Sequence, residues 1–254
     1  MLMKKPQQKC THVQHMLWLY TVLVCIGWCS NLFAKETDES YEFELTPYLW
    51  VASISGTTAV DGNESPPLDS GYNFFALDNL DGVASATFTA RKKHWKFLFD
   101  FLYVAYEDTL QEGTQFQATP RLEGFIIEYA GSYAPKSIDN LEIIAGIRQQ
   151  NIDVSLEILN QNPEGNVNWF DPFVGVIYAL PLKGNFSMTL RGDVGGFGIE
   201  SDIAVNAEAM FRYQFGNTLS AKLGYRYLKV KFDDSNFVYD IGLDGFLLGL
   251  GIRF

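Results

Sequence analysis

Acid–base and nucleophilic catalysis most often rest on a His paired with Ser, Cys or Asp. Beyond residue 34 the sequence holds a single histidine, His94, inside the basic run Arg91-Lys92-Lys93-His94 and without a partner nearby. Such a run suits a solvated turn beside anionic head groups better than a catalytic base. The three cysteines, Cys10, Cys25 and Cys29, all precede residue 34. Metal ligation would fall to carboxylates such as Asp61, Glu64 and Asp69, which could hold calcium weakly but do not have EF-hand spacing. No G-x-x-x-x-G-K phosphate loop is present, and Gly192, Gly195, Gly196 and Gly198 read as close packing or a bend at a strand end. The sequence therefore points away from an enzyme and calls for no catalytic residue, cofactor or metal.

What the sequence does repeat is charge at every second position. Between Asp202 and Phe215 the odd positions run Ile203, Val205, Ala207, Ala209, Phe211, Tyr213 and Phe215, while the even ones include Asp202, Asn206, Glu208, Arg212 and Gln214. From Trp95 to Ala105 the odd positions are almost all aromatic and oppose Lys96 and Asp100. Period two is the mark of a strand with two unlike faces. Ten such segments follow one another: 41–60, 83–91, 95–108, 121–133, 141–156, 169–180, 185–197, 202–215, 218–232 and 236–254. Connectors are short at 92–94, 135–140, 181–184 and 216–217, and longer at 61–82, 109–120 and 157–168. An even strand number with short turns on one rim and long loops on the other is the pattern of an outer-membrane barrel. Parity slips near 149–152, 228–229 and 244–246, which read as bulges or as points where strands leave the membrane. The fold predicted is all-β, a transmembrane antiparallel up-and-down barrel of about ten strands, with eight plus bulges as the alternative.

The first 34 residues read as a signal peptide: Lys4, Lys5 and Lys9, then the apolar run Met16 to Gly27, then Asn31-Leu32-Phe33-Ala34 as a cleavage end. The run is short for a membrane-spanning helix. Residues 35–254 would form the barrel. Without the leader no cysteine remains, so no disulfide framework and no thiol chemistry is expected. The net charge of −11 becomes −14, with 19 − 3 positive charges against 30 negative ones, and no basic surface for nucleic acid is left. No run of 18 apolar residues follows, which does not argue against a barrel, since its strands are only half apolar.

A soluble sandwich would also alternate. Trp95, Tyr133, Trp169, Tyr213 and Phe215, however, fall near strand ends on the apolar face, where the interfacial girdles of a barrel lie. The last segment alternates Phe246, Leu248, Leu250, Ile252 and Phe254 with small or polar residues and stops on the aromatic. This resembles the signature of chains handed to the barrel assembly machinery. The segments Leu45-Thr46-Pro47-Tyr48-Leu49-Trp50, Leu190 to Gly198, Gly224-Tyr225-Arg226-Tyr227-Leu228 and Gly249 to Phe254 resemble a widespread family of uncharacterised proteobacterial outer-membrane β-barrel proteins. The resemblance implies the fold, a place in the cell outer membrane and contact with its lipid. It brings no activity or catalytic residue.

With this parity Asp100, Glu128, Arg148, Asp171, Arg191, Asp193, Glu208, Arg212, Lys222 and Arg226 point into the lumen, as do Glu44 and Glu142. Charges there are costly unless paired, so ion pairs across neighbouring strands are expected, with Arg191 and Arg226 as hubs. The network either holds the barrel shut or lines a narrow pathway for small solutes. A second class of reading is capture of a small apolar ligand by the extracellular loops, with Phe74, Phe75 and Leu77 at the opening. A soluble lipocalin-like binder is weaker, because its outward faces would have to be polar.

Overall fold

The computed structural model describes residues 40–60, 63–64, 68–69, 80–107, 118–158, 164–234 and 237–254. Alternation of β-branched, aromatic and polar residues produces ten long antiparallel strands. They are β1 (Glu42–Val60), β2 (Leu80–Lys92), β3 (Trp95–Glu107), β4 (Ala118–Tyr133) and β5 (Leu141–Ile158). The second half holds β6 (Glu164–Pro181), β7 (Phe186–Gly195), β8 (Ile203–Phe215), β9 (Leu219–Asp234) and β10 (Phe237–Arg253). Neighbours in sequence are neighbours in the sheet, and β10 pairs back onto β1 from Glu44–Arg253 to Val60–Phe237, so the sheet is closed. Two-residue bridges at Asn63–Glu64 and Leu68–Asp69 fold against β1. Residues 1–34, expected from the sequence to be a signal peptide, the calcium candidate Asp61, and Phe74, Phe75 and Leu77 lie outside the described residues.

The register fixes the shape. Followed strand to strand, Lys92 faces Trp95, then Tyr133, Ile143, Val176, Gly192, Ala207, Tyr227, Asp244 and finally Ser53 on β1. The β1–β2 register, in which Glu42 faces Arg91, places position 41 opposite Lys92. The circuit thus closes 53 − 41 = 12 residues further along. For ten strands that stagger corresponds to a tilt of about 40°. Each of the four short turns holds a residue with positive φ: Lys93, Asn140, Gly184 and Gly216. At Gly184 and Gly216 glycine adopts this conformation without steric cost.

Below the level of Arg226 the barrel is inverted relative to a soluble protein. Its outer face is aliphatic and aromatic, with Ile143, Ile147, Val174, Leu223, Leu248 and Leu250 about half exposed. Its inner face buries Asp100, Glu128, Arg148, Asp171, Asp193 and Arg226. Trp95–Tyr133 and Phe186–Tyr213–Phe215 pack in tilted and edge-to-face pairs along the rim of the four hairpin turns. Phe246, Leu248, Leu250, Ile252 and Phe254 are all exposed, the side chains standing clear of the lumen. In a bilayer every backbone polar group must be satisfied internally, which a closed barrel does. This apolar exterior is that of an outer-membrane barrel, and the rim that carries the four turns at 93–94, 134–140, 182–185 and 216–218 is the periplasmic one, the brief connections after Gly195 and Asp234 belonging to the other rim.

Higher up, both faces change character. Along β9 the inward series passes from Arg226 to Leu228, Val230 and Phe232, while the outward series passes from Tyr227 to Lys229, Lys231 and Asp233. On β5 and β6 the outward residues become Gln149, Asp153, Asn166 and Asn168, which hydrogen-bond across the strands. Inside, Trp50, Leu102, Val104, Trp169, Tyr239 and Ile241 form an apolar core. The apparent parity slips at 149–152, 228–229 and 244–246 are this exchange: the pairing runs through all three without a break. Strands of up to 19 residues are long enough to do both, since about 10 cross the bilayer. Trp169 departs from the expected girdle. It points inward and is buried, because β6 begins at Glu164 and Trp169 shares the face of Asp171.

A charge on the lower outer face must therefore be expensive and the same charge above it cheap. Leu223→Arg should destabilise the barrel by about 2–4 kcal/mol, and Asn151→Arg by no more than about 0.5 kcal/mol, as read from reversible urea unfolding in lipid vesicles. Equal costs would contradict the division into two levels.

Candidate functional site

The register brings the lumen charges together in rows. Thr87, Asp100, Glu128, Arg148 and Asp171 are successive cross-strand neighbours on β2 to β6. Across the lumen Glu208 lies opposite Arg191 on one side and Arg226 on the other, and Asn206 lies opposite Asp193. Alternation turns all of these inward, and the closure of the sheet sets the two rows face to face.

Glu128 is the centre. Its Oε1 accepts from Arg148 Nε at 2.8 Å and from Arg226 Nη2 at 2.7 Å, and its Oε2 accepts from Arg191 Nη2 at 2.8 Å. Asp193 accepts from Arg148 Nη2, Arg191 Nε and Asn206 Nδ2, each at 2.8 Å. Asp100 accepts from Thr87 Oγ1 at 2.6 Å, Tyr48 Oη at 3.1 Å and Arg226 Nη1 at 3.3 Å. Arg226 also donates from Nε to Asn206 Oδ1 at 2.9 Å. Glu128 and Arg148 are wholly buried. An ion placed so deep is tolerated only when it is paired and hydrogen-bonded, and every one of these charges has at least two such partners, although Arg148 Nη1 is left without an acceptor. The guanidiniums also stack: Arg226 over Trp50 at 5.1 Å and Arg148 over Phe173 at 4.9 Å.

Asp171 does a different job. Its carboxylate accepts from neutral donors: Trp169 Nε1 at 3.0 Å, Gln150 Nε2 at 3.4 Å, and the Oγ and backbone N–H of Ser201 at 2.7 and 3.1 Å. Ser201 sits in the short β7–β8 connection, so Asp171 ties that connection into the lumen wall.

At the periplasmic mouth Glu44 receives Arg212 at 2.6 Å, Lys222 at 2.5 Å and, more loosely, Arg253 at 3.6 Å. Lys222 also donates to Thr46 at 2.7 Å. Glu142 is held by Arg91, by Lys96 at 2.6 Å and by Ser132 at 2.7 Å. The inward glycines of β10 make room for this: a Cβ on Gly251 would lie 2.4 Å from Ser220 Oγ and 3.1 Å from Lys222 Cε. Between this mouth and the central layer lies a cavity of about 430 Å³ that reaches the rim at Glu42, Arg91 and Arg253. On the far side of the central layer the apolar core closes in, with Trp169 5.3 Å from Phe232 and 5.5 Å from Tyr239.

The ten candidate lumen residues thus fall into two groups. Eight meet at the central layer, while Arg212 and Lys222 stand at the mouth. Arg191 and Arg226 are not the sole hubs. Glu128 is the shared acceptor, and Arg148 is as deeply engaged as either. Tyr48, Asn206 and Ser201 complete the network as neutral members. Parity gives Tyr48 and Asn206 their inward direction, but nothing in their residue type announces the role. His94 lies in the β2–β3 turn at the periplasmic rim, its ring 6.2 Å from that of Tyr133.

No family model matches the chain, and no curated protein does. Among solved structures, similar ones include the translocator domain of the autotransporter NalP from Neisseria meningitidis, at 12% identity, covering 94% of this chain and 96% of that one, with a TM-score of 0.45. Ail, the attachment invasion locus protein of Yersinia pestis, is 9% identical over 85% of this chain and 99% of that one, with a TM-score of 0.41. A Pseudomonas aeruginosa FadL homologue is 9% identical over 85% and 90%, with a TM-score of 0.37. These are distant likenesses between barrels and say nothing of activity.

Removing the shared acceptor would take one charged partner from each of three buried guanidiniums. Glu128→Ala should cost about 3–5 kcal/mol, whereas Lys229→Ala, which breaks an outer-surface pair with Asp240, should cost under about 1 kcal/mol. Comparable losses in equilibrium unfolding would show that the central network does not stabilise the barrel.

Proposed function

We propose that this protein is a non-enzymatic outer-membrane barrel whose lumen is sealed at rest and whose primary role is structural. The observation that carries this reading is the central layer: a carboxylate shared by three arginines, with Asp100, Asp193 and Asn206 between strands, spans the lumen and leaves Glu128, Arg148 and Asp171 without solvent contact. The apolar core beyond it forms a second barrier of different chemistry. Water and ions would have to break both. A pathway for small solutes would need the guanidiniums to leave Glu128, and each departure strands a buried charge.

The non-enzymatic part of the reading is supported by the place of His94, in a rim turn rather than among the lumen carboxylates. Binding of an apolar ligand through Phe74, Phe75 and Leu77 concerns residues outside those described, and the apolar lining that is described is occupied by its own packed aromatic rings.

Single-channel recording of the refolded protein in a planar bilayer tests the seal. The parent should be silent, and the double variant Arg191→Ala, Arg226→Ala should leak, because it removes two of the three cations on Glu128. Steady openings in the parent, altered in ion selectivity by the same variant, would make the lumen a solute pathway instead.

A further inference from the structure

The central layer and the mouth are charged in opposite senses. In the central layer Asp100, Glu128, Asp171, Asp193 and Glu208 are set against Arg148, Arg191 and Arg226, an excess of two negative charges at formal ionisation, and Asp100 and Glu208 form the floor of the cavity together with Arg191 and Arg226. At the mouth the balance is reversed. Arg212, Lys222 and Arg253 share Glu44, and Arg91 and Lys96 share Glu142, with Glu42 the remaining carboxylate at the rim, so two positive charges are in excess. This happens in a chain whose net charge is −11. These two lumen regions together are neutral but polarised along the barrel axis.

A potential of that form draws an anion in from the periplasm and halts it before the central layer. The cavity of about 430 Å³ lies at that point, and its size is within the range of small-molecule sites. Its walls differ. Arg212 and Lys222 stand on β8 and β9, whereas Leu98 and Ile177, on β3 and β6, present a buried apolar surface. Arg212 is bonded to Glu44 through Nη2, and Lys222 to Glu44 and Thr46.

We propose that the periplasmic vestibule is a binding site for a small amphipathic phosphomonoester. Its phosphate sits at Arg212, Lys222 and Arg253, and its apolar part lies against Leu98 and Ile177. The excess of two positive charges suits a phosphate group carrying about −1.5 to −2 near neutral pH better than a carboxylate carrying one. Arginine forks and a lysine ammonium are the groups that hold phosphate most effectively. The dead end of the site rests on the sealed lumen, but its readout is equilibrium binding, so a silent barrel that binds nothing refutes the site and leaves the seal standing.

Isothermal titration of the full-length refolded protein in detergent, with hexyl phosphate as the probe, tests the proposal. Hexyl phosphate should bind saturably, and tighter than hexanoate or inorganic phosphate by at least about tenfold, or 1.4 kcal/mol. Lys222→Gln with Arg212→Gln should weaken it by a similar factor or more. Thr189→Trp fills the vestibule from the β7 wall without replacing a cation, and should abolish binding while the protein keeps its heat-modifiable migration. No saturable binding, binding indifferent to both variants, or equal affinity for hexanoate or inorganic phosphate would each overturn the assignment.

Discussion

Three guanidiniums and one carboxylate have been taken out of water together, and the register of the barrel is bound to their pairing. Glu128 can be buried because Arg148, Arg191 and Arg226 reach it from three other strands, and each of those arginines has a second partner in Asp193, Asp100 or Asn206, with Arg148 Nη1 left unpaired. Each member makes the others tolerable, and none would be stable there alone. The residues come from β3, β4, β5, β7, β8 and β9, so the network exists only when the barrel has closed with the right stagger. A one-residue slip in any strand would turn its charges to lipid and its aliphatic residues to the lumen. The ion network and the apolar belt specify the same register from opposite faces.

The second consequence is the division into two levels. Where the outer face meets lipid, polarity has to be inside. Where the outer face meets water, the usual rule returns, and Leu228, Val230, Ile241 and Trp169 pack as an ordinary core. The change takes place within a pair of residues at Arg226–Tyr227 and Leu228–Lys229. Trp169 joins the two levels, since its ring belongs to the apolar core while its Nε1 donates to Asp171. One short chain thus carries an inside-out lower level and a conventional apolar core above it, the latter drawn from β1, β3, β6, β8, β9 and β10.

Much of this is legible in the sequence, because period two is a direct consequence of strand geometry. Segment ends predicted from alternation agree closely with the strands, as at Leu141 for β5 and Phe215 for β8. Inward direction is legible for the same reason at Asp100, Glu128, Arg148 and Arg226. Which charge meets which is not. Arg226 and Glu128 lie 98 residues apart, and their contact depends on the stagger of the closed sheet and on reach across the lumen, neither of which a local pattern encodes. Trp169 misleads for a related reason: an aromatic near an assumed strand end looks interfacial, but the strand starts five residues earlier, at Glu164. A parity slip has the same appearance whether it is a bulge or an exchange of faces, and only the continuous pairing tells them apart. Tyr48, Asn206 and Ser201 give no sign, since a hydroxyl or an amide on an inward face is common and its partner is set in three dimensions.

In the proposed function the charge layer divides the lumen into an open vestibule and a dry core. Thiol accessibility probes this division, with Cys10, Cys25 and Cys29 replaced by Ser so that a single cysteine placed in the barrel is the sole thiol. Thr189→Cys lies in the vestibule lining, and Ala204→Cys lies wholly buried in the apolar core. A small anionic thiosulfonate applied to the refolded protein should modify Thr189→Cys rapidly and Ala204→Cys not at all on the same timescale. Equal rates at the two positions would mean that water passes the charge layer, which would contradict a lumen sealed at Glu128.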